Sequence, residues 1–149
     1  MLEDITVGTT ATITKVVEEQ ECTVRGGYQI FSTPYLVHLL EAAAIEALAP
    51  FLPEGQASVG TNVHVDHTAA TLLGQTLTAT ATVIEADRRR FVFSIDVKDD
   101  IDQVSTGTHE RFVIDLGKFG TKLGDKAASL ISIRPASGTA TTARSGGTA

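Results

Sequence analysis

Residues 31–50, FSTPYLVHLLEAAAIEALAP, are almost entirely apolar and carry the signals of a helix at both ends. Ser32 or Thr33 can cap its start, and Pro34 suits the first helical position, where a missing N–H costs nothing. Pro50, Pro53 and Gly55 stop its continuation. On either side the period changes to two. Residues 5–17, ITVGTTATITKVV, read as a first strand with a break at Gly8, and 22–30, CTVRGGYQI, as a short strand or connection that flexes at Gly26-Gly27. Beyond the helix, residues 57–69, 74–86, 90–98 and 103–116 alternate apolar with polar positions. Short turns at Asp87-Arg88-Arg89 and Asp99-Asp100 join the last three as an antiparallel meander.

One face of such a sheet needs an apolar cover, and the 31–50 helix is the candidate. The expected fold class is α+β, a long central helix wrapped by a mostly antiparallel β-sheet, which is the hot-dog arrangement. A helix apolar all round cannot face water on any side, and one sheet covers only part of it. A homodimer is therefore expected. The domain is expected over residues 1–123. From Gly124 the chain turns to Ala, Ser, Thr and Gly, and 124–149 reads as a low-complexity, disordered tail.

Composition narrows the partners. The length of 149 residues suits one domain, and a hydrophobic fraction of 42% is enough for its core. A net charge of −6 argues against a nucleic-acid backbone or an anionic membrane as the main partner. The one cysteine, Cys22, fits a reducing compartment. The N-terminus lacks the basic-then-apolar pattern of a signal peptide, and no apolar run is long enough to span a bilayer, so the cytoplasm is the expected setting.

Glu41 is the anomaly in the helix. Positions 37, 41, 44 and 48 fall on one stripe, occupied by Val37, Glu41, Ala44 and Leu48. A carboxylate there is either structural, bonded to a buried polar group or a second subunit, or a base or nucleophile in a half-buried pocket. Alternation in 57–69 puts His67 on the apolar face with Val63 and Val65, toward the helix, and leaves His64 and Asp66 on the polar face. A satisfied core histidine is the bland alternative; a titratable residue on the facing helix favours function. Thr33 caps the helix or borders the same pocket, and Gly60 marks a bulge or a close approach of ligand to backbone. Arg111 shares a strand face with His109 and Val113; it is solvated or pairs with a carboxylate or phosphate, and His109 is expected on a solvated face. Arg88 to Arg90 form a turn, solvated or facing an anionic cofactor. No CxxC, HExxH or paired-His spacing suggests a metal, and Walker, GxGxxG and GxSxG motifs are absent.

Three blocks, LVHLLEAAAIEALAPFLPEG, SVGTNVHVDHTAATLLGQTLTATATV and STGTHERFVIDLGKF, resemble the fluoroacetyl-CoA thioesterase group of hot-dog thioesterases over most of residues 5–122. The resemblance implies a homodimer that hydrolyses an acyl-CoA thioester without metal or separate cofactor, coenzyme A being part of the substrate. It implies a catalytic set of Thr33, Glu41 and His67, with Gly60 and Arg111 binding substrate. The group's longer aromatic-bearing lid has no counterpart in the compact VRGGYQIFSTP segment, so thioester hydrolysis is expected without a commitment to the fluoroacetyl group. The competing readings are a hot-dog hydratase or dehydratase and a non-catalytic acyl-CoA-binding module.

Overall fold

The computed structural model describes residues 1–134. Its elements run β1 (Thr10–Val16), β2 (Cys22–Arg25), β3 (Tyr28–Phe31), α1 (Thr33–Leu48), β4 (Gln56–His67), β5 (Thr76–Asp87), β6 (Arg90–Lys98), β7 (Gln103–Asp115) and α2 (Leu116–Ile133). β1, β5, β6, β7 and β4 lie side by side in that order, every pair antiparallel. β2 and β3 form a separate hairpin. Its turn is made by Gly26 and Gly27, both at positive φ, a conformation that costs glycine little.

The helix packs on one face of the sheet. Leu36, Leu39, Leu40, Ala43, Ala44, Ala47 and Leu48 are its buried positions. They meet Leu77, Ala79, Ala81 and Val83 of β5 and Phe91, Phe93, Ile95 and Val97 of β6. Alternate residues of β5 and β6 are buried, as a one-sided sheet requires. Small alanines on both surfaces let α1 lie close to the strands, and the phenylalanines fill the space beside them.

The helix differs from the sequence expectation in two respects. It is not buried all round: Tyr35, His38, Ile45 and Glu46 are exposed in the single chain. The centre of its buried face follows positions 36, 40, 43 and 47, the expected helical spacing begun one residue earlier. Val37 and Glu41 therefore stand at the edge of that face, half-buried, and only Ala44 and Leu48 of the expected stripe are buried. The N-terminal cap is also different. Ser32 occupies the capping position without a side-chain cap bond; its hydroxyl donates to the Glu21 carbonyl at 3.0 Å instead.

β4 lies at the sheet's edge, and its ladder with β7 shifts register between Gly60 and Asn62. Before this bulge Ser58 and Gly60 pair with Val113 and Arg111, on the inward face; after it Val63, Val65 and His67 take that face opposite His109, Gly107 and Ser105. One extra residue switches the inward set from even to odd numbers. The unbroken alternation expected from Val59 on therefore holds only past the bulge.

At the other end, residues 116–133 are helical, so α2 runs past Gly124, where the tail is expected to begin, as far as Ile133. The Asp115 side chain caps this helix by accepting from the Lys118 amide at 2.9 Å. Leu116, Leu123 and Leu130 recur every seven residues, a helical period that the surrounding Gly, Ala, Ser and Thr obscured in the sequence. The remainder of the expected tail, 135–149, lies outside the described residues.

Candidate active site

Two polar clusters stand where α1 faces β4 and β7. The first joins the start of the helix to the end of β4. Thr33 is the first residue of α1, and Pro34 behind it fixes the turn. Its hydroxyl lies 2.9 Å from Nδ1 of His67, so it serves the imidazole and not the helix end. Nε2 of His67 is buried and has no hydrogen-bond partner. Burial holds this imidazole below its ordinary value, opposed by the nearby Ala69 backbone. The pair lines a cleft of about 430 Å³, walled by Thr23 and Ile30 of the β2–β3 hairpin and by Thr68 and Ala69. A neutral imidazole with one nitrogen held and one uncommitted can take up and return a proton.

The second cluster gathers around Arg111 on β7. Its Nε donates to Ser58 Oγ at 2.8 Å and Nη2 to the Ser58 carbonyl at 2.9 Å. Nη1 donates to Oε2 of Glu41 at 3.3 Å and lies 3.1 Å from Nε2 of His109. Nδ1 of His109 is 2.8 Å from the Asn62 carbonyl. The guanidinium is 4% exposed and the Glu41 side chain 41%, so the ion pair has one buried and one wet end. Burial pulls Arg111 below its usual range and Glu41 opposes the shift. His109 also sits below its ordinary value, chiefly through burial.

Gly60 is fitted to this cluster. A Cβ there would lie 3.1 Å from Glu41 Oε2, 3.1 Å from His109 Cε1 and 3.3 Å from Arg111 Nη1, closer than side chains tolerate without displacement. Glu41, Gly60, Asn62, Val63 and His109 line a second cleft of about 300 Å³.

Of the five expected site residues, the single chain therefore brings Thr33 to His67, and Glu41 to Arg111 and Gly60. It does not bring Glu41 to His67. They line different clefts, and Thr33 and Glu41 are about 12 Å apart along the helix axis. The carboxylate pairing suggested for Arg111 is present, and every hydrogen bond of its guanidinium is internal. His109 was expected on a solvated face and is only 2% exposed. The pattern pointed the other way: the opposite face carries Val104, Phe112 and Ile114 beside Thr106, Thr108 and Glu110, against Val113 alone beside His109 and Arg111. Arg88 pairs with Asp87, and Arg90 with Glu85 and Glu110, so those two arginines of the basic turn have acidic partners. Among the described residues no group of three or more His, Cys, Asp or Glu side chains could hold a metal, and no helix is long and apolar enough to cross a membrane.

A long helix laid across a five-stranded antiparallel sheet is the hot-dog fold, and the relatives of this chain place it in the thioesterase class of that fold. The model of the fluoroacetyl-CoA-specific thioesterase family (FlK) matches residues 11–116, and the chain belongs to that family. A fluoroacetyl-CoA thioesterase from Streptantibioticus cattleyicolor is 42% identical over 98 residues, covering 66% of this chain and 70% of that protein. A solved structure of the fluoroacetyl-CoA thioesterase FlK superimposes with a TM-score of 0.75 at 37% identity, over 81% of this chain and 96% of that one. A hot-dog-like protein from Thermanaerovibrio acidaminovorans gives 0.77 at 28% identity, over 83% and 94%. The expected family and hot-dog fold are thus both found. The family match ends where α2 begins.

Proposed function

We propose that this protein hydrolyses short acyl-CoA thioesters to the free acid and CoA as a homodimer, without a metal ion, using Thr33 and His67 of one subunit and Glu41 of the other. The observation that carries this reading is the Thr33–His67 hydrogen bond beside a buried, unpartnered Nε2 in an open cleft. Leaving an imidazole nitrogen buried and unpaired is costly, and a substrate or attacking water that bonds to it repays the cost.

The dimer is supported by what the single chain leaves uncovered. Among the described residues β4, a 12-residue strand, has no neighbour on its outer edge, and long open edges invite pairing. Val63, Tyr35 and Ile45 are exposed apolar residues on β4 and α1. Antiparallel pairing of two β4 edges about an axis at His64, with the bulge residue Thr61 left out of the ladder, sets His67 opposite Gly60 of the partner subunit. Glu41 packs on that glycine within each chain, so the pairing supplies His67 with the carboxylate its own chain does not.

In that composite site His67 is general base and acid. Where Glu41 activates the water that attacks the thioester carbonyl, His67 takes the proton of that water and returns it to the departing thiolate; where Glu41 attacks directly, the thiolate leaves as a mixed anhydride forms, a water deprotonated by His67 cleaves the anhydride and frees Glu41, and that proton passes to the thiolate. Thr33 orients the imidazole, and the Gly60 N–H, at the bulge, serves the developing oxyanion. Arg111, spent on internal hydrogen bonds, acts by holding Glu41 instead of contacting substrate. Coenzyme A enters as part of the substrate, and the single Cys22 fits a cytoplasmic setting.

Thiol release from a panel of acyl-CoAs tests the activity. His67→Ala and Glu41→Gln are each expected to lower kcat at least about a hundredfold, the usual size of lost acid–base work. Mixed and reassembled, the two variants form heterodimers with one intact site, which restores about a quarter of wild-type activity when half of the dimers are mixed. Near-wild-type turnover in either variant overturns the residue roles, and no recovery on mixing overturns the shared site.

A further inference from the structure

His109 takes no part in the chemistry described so far, yet both of its ring nitrogens are committed. Nδ1 faces a carbonyl, Asn62 O at 2.8 Å, which can only accept. Nδ1 therefore carries the hydrogen and Nε2 the lone pair. Nη1 of Arg111, 3.1 Å from Nε2, is then the donor, and its second hydrogen points to Glu41 Oε2 at 3.3 Å. The chain of contacts runs from the β4 backbone at the bulge, through one imidazole and one guanidinium, to the carboxylate on α1.

We propose that His109 is a positioning residue for the thioesterase reaction: as a neutral Nδ1–H tautomer it fixes Nη1 of Arg111 and so sets where the Glu41 carboxylate stands. This rests on the reading of Glu41 as the catalytic carboxylate. An imidazole at a site 2% exposed is a costly choice for filling space, since an aliphatic side chain would need no hydrogen bonds there. What an aliphatic residue cannot supply is an acceptor for Arg111 and a donor for Asn62 at once.

The neutral form is also the one its surroundings favour. Burial and the Arg111 charge disfavour the imidazolium; the Asn62 carbonyl, Glu41 on α1 and Glu110 on β7 act the other way but do not prevail. The ladder neighbours of His109 are Val63 on β4 and Phe93 on β6, neither of them titratable. A second proton would put a cation against the guanidinium and remove the acceptor that Nη1 uses. Gly60 completes the fit, because any side chain there would press on Glu41, His109 and Arg111 together.

Two variants and one spectrum test the role. His109→Leu removes both hydrogen bonds. Its kcat on acyl-CoA is expected to fall about tenfold or more while KM stays within about twofold, because a carboxylate displaced by a fraction of an ångström impairs reaction more than binding. His109→Gln keeps one donor and one acceptor and is expected to regain most of the lost kcat, which a merely space-filling histidine would not predict. The ¹⁵N spectrum of the wild-type imidazoles at neutral pH is expected to show His109 as the Nδ1–H tautomer. The proposal is overturned by an Nε2–H or doubly protonated His109 in that spectrum, by wild-type kcat in folded His109→Leu, or by a glutamine variant as slow as the leucine one. The spectrum decides even where the leucine variant does not fold. Full activity in Glu41→Gln would instead remove the catalytic reading beneath it; an inactive Glu41→Gln beside a fully active His109→Leu would sink the His109 role alone.

Discussion

Thr33 and His67 share one hydrogen bond and leave a buried nitrogen without a partner, whereas Arg111 donates to Ser58 twice, to His109 and to Glu41. The two clusters flank the same helix and use the same strand, on opposite sides of the Gly60 bulge. The first is under-satisfied and lines the larger cleft; the second engages four of the five N–H donors of Arg111 and is pinned against a glycine. A group that must exchange a proton with substrate cannot spend all its hydrogen bonds on the protein. A group that must keep a carboxylate in place does so best when all its own are spent. On the proposed mechanism the difference separates the reacting end of the site from its holding end, although sequence patterning alone presents both as polar residues on apolar faces.

Breaking the densely bonded Arg111 cluster should cost most. Arg111→Met removes the partner of Glu41 and leaves Ser58 Oγ and His109 Nε2 without their donor in the protein interior. Stability is expected to fall by about 2–3 kcal/mol, the cost of stranding buried polar groups, with the wet end of the ion pair contributing little. Activity should fall with it even at temperatures where the variant is fully folded. Urea denaturation and thiol release on the same preparation check both. A variant as stable as the wild type would show that the cluster is not the structural anchor its geometry implies.

The under-satisfied pair should behave oppositely. Thr33→Val deletes one exposed-side hydrogen bond and keeps the side-chain shape, so stability should change by no more than about 1 kcal/mol. Activity should fall about tenfold, because His67 loses the contact that holds its ring orientation. A large stability loss with unchanged kcat would erase the distinction between the two clusters.

Much of this was legible in the residues, and where it was not the reason is geometric. Glu41 stood out because a charge in FSTPYLVHLLEAAAIEALAP is expensive, and His67 because alternation past Asn62 puts it with Val63 and Val65. The partner of each was not legible. Periodicity assigns residues to faces but does not say how far along a face two of them meet, so Glu41 seemed to face His67 and instead meets Arg111. Gly60 could be suspected of a bulge, but a period of two cannot show that the inward set changes parity across it. Alternation puts His109 on one face with Arg111 but not in the interior, because the opposite face carries Val104, Phe112 and Ile114 against Val113 alone. In α2 the seven-residue spacing of leucines was present but diluted by small residues.

The smallest effect expected is in the pH dependence of stability, which the two histidines share despite their different duties. Both are held below the ordinary imidazole value of 6.5, in each case chiefly by burial. As pH falls through that value the unfolded chain takes up protons that the native protein refuses, so the unfolded state is favoured. The stabilisation is complete above about pH 7.5 and declines as pH falls toward the lowered native values. Glu110 and Asp99, held below the usual carboxylate range, act at still lower pH and do not confuse this window. Urea midpoints measured between about pH 7.5 and 5.5 should therefore decline for the wild type. His109→Gln and His67→Ala should each flatten part of the slope, and a midpoint that stays level across the range would mean that neither imidazole is neutral by virtue of its burial.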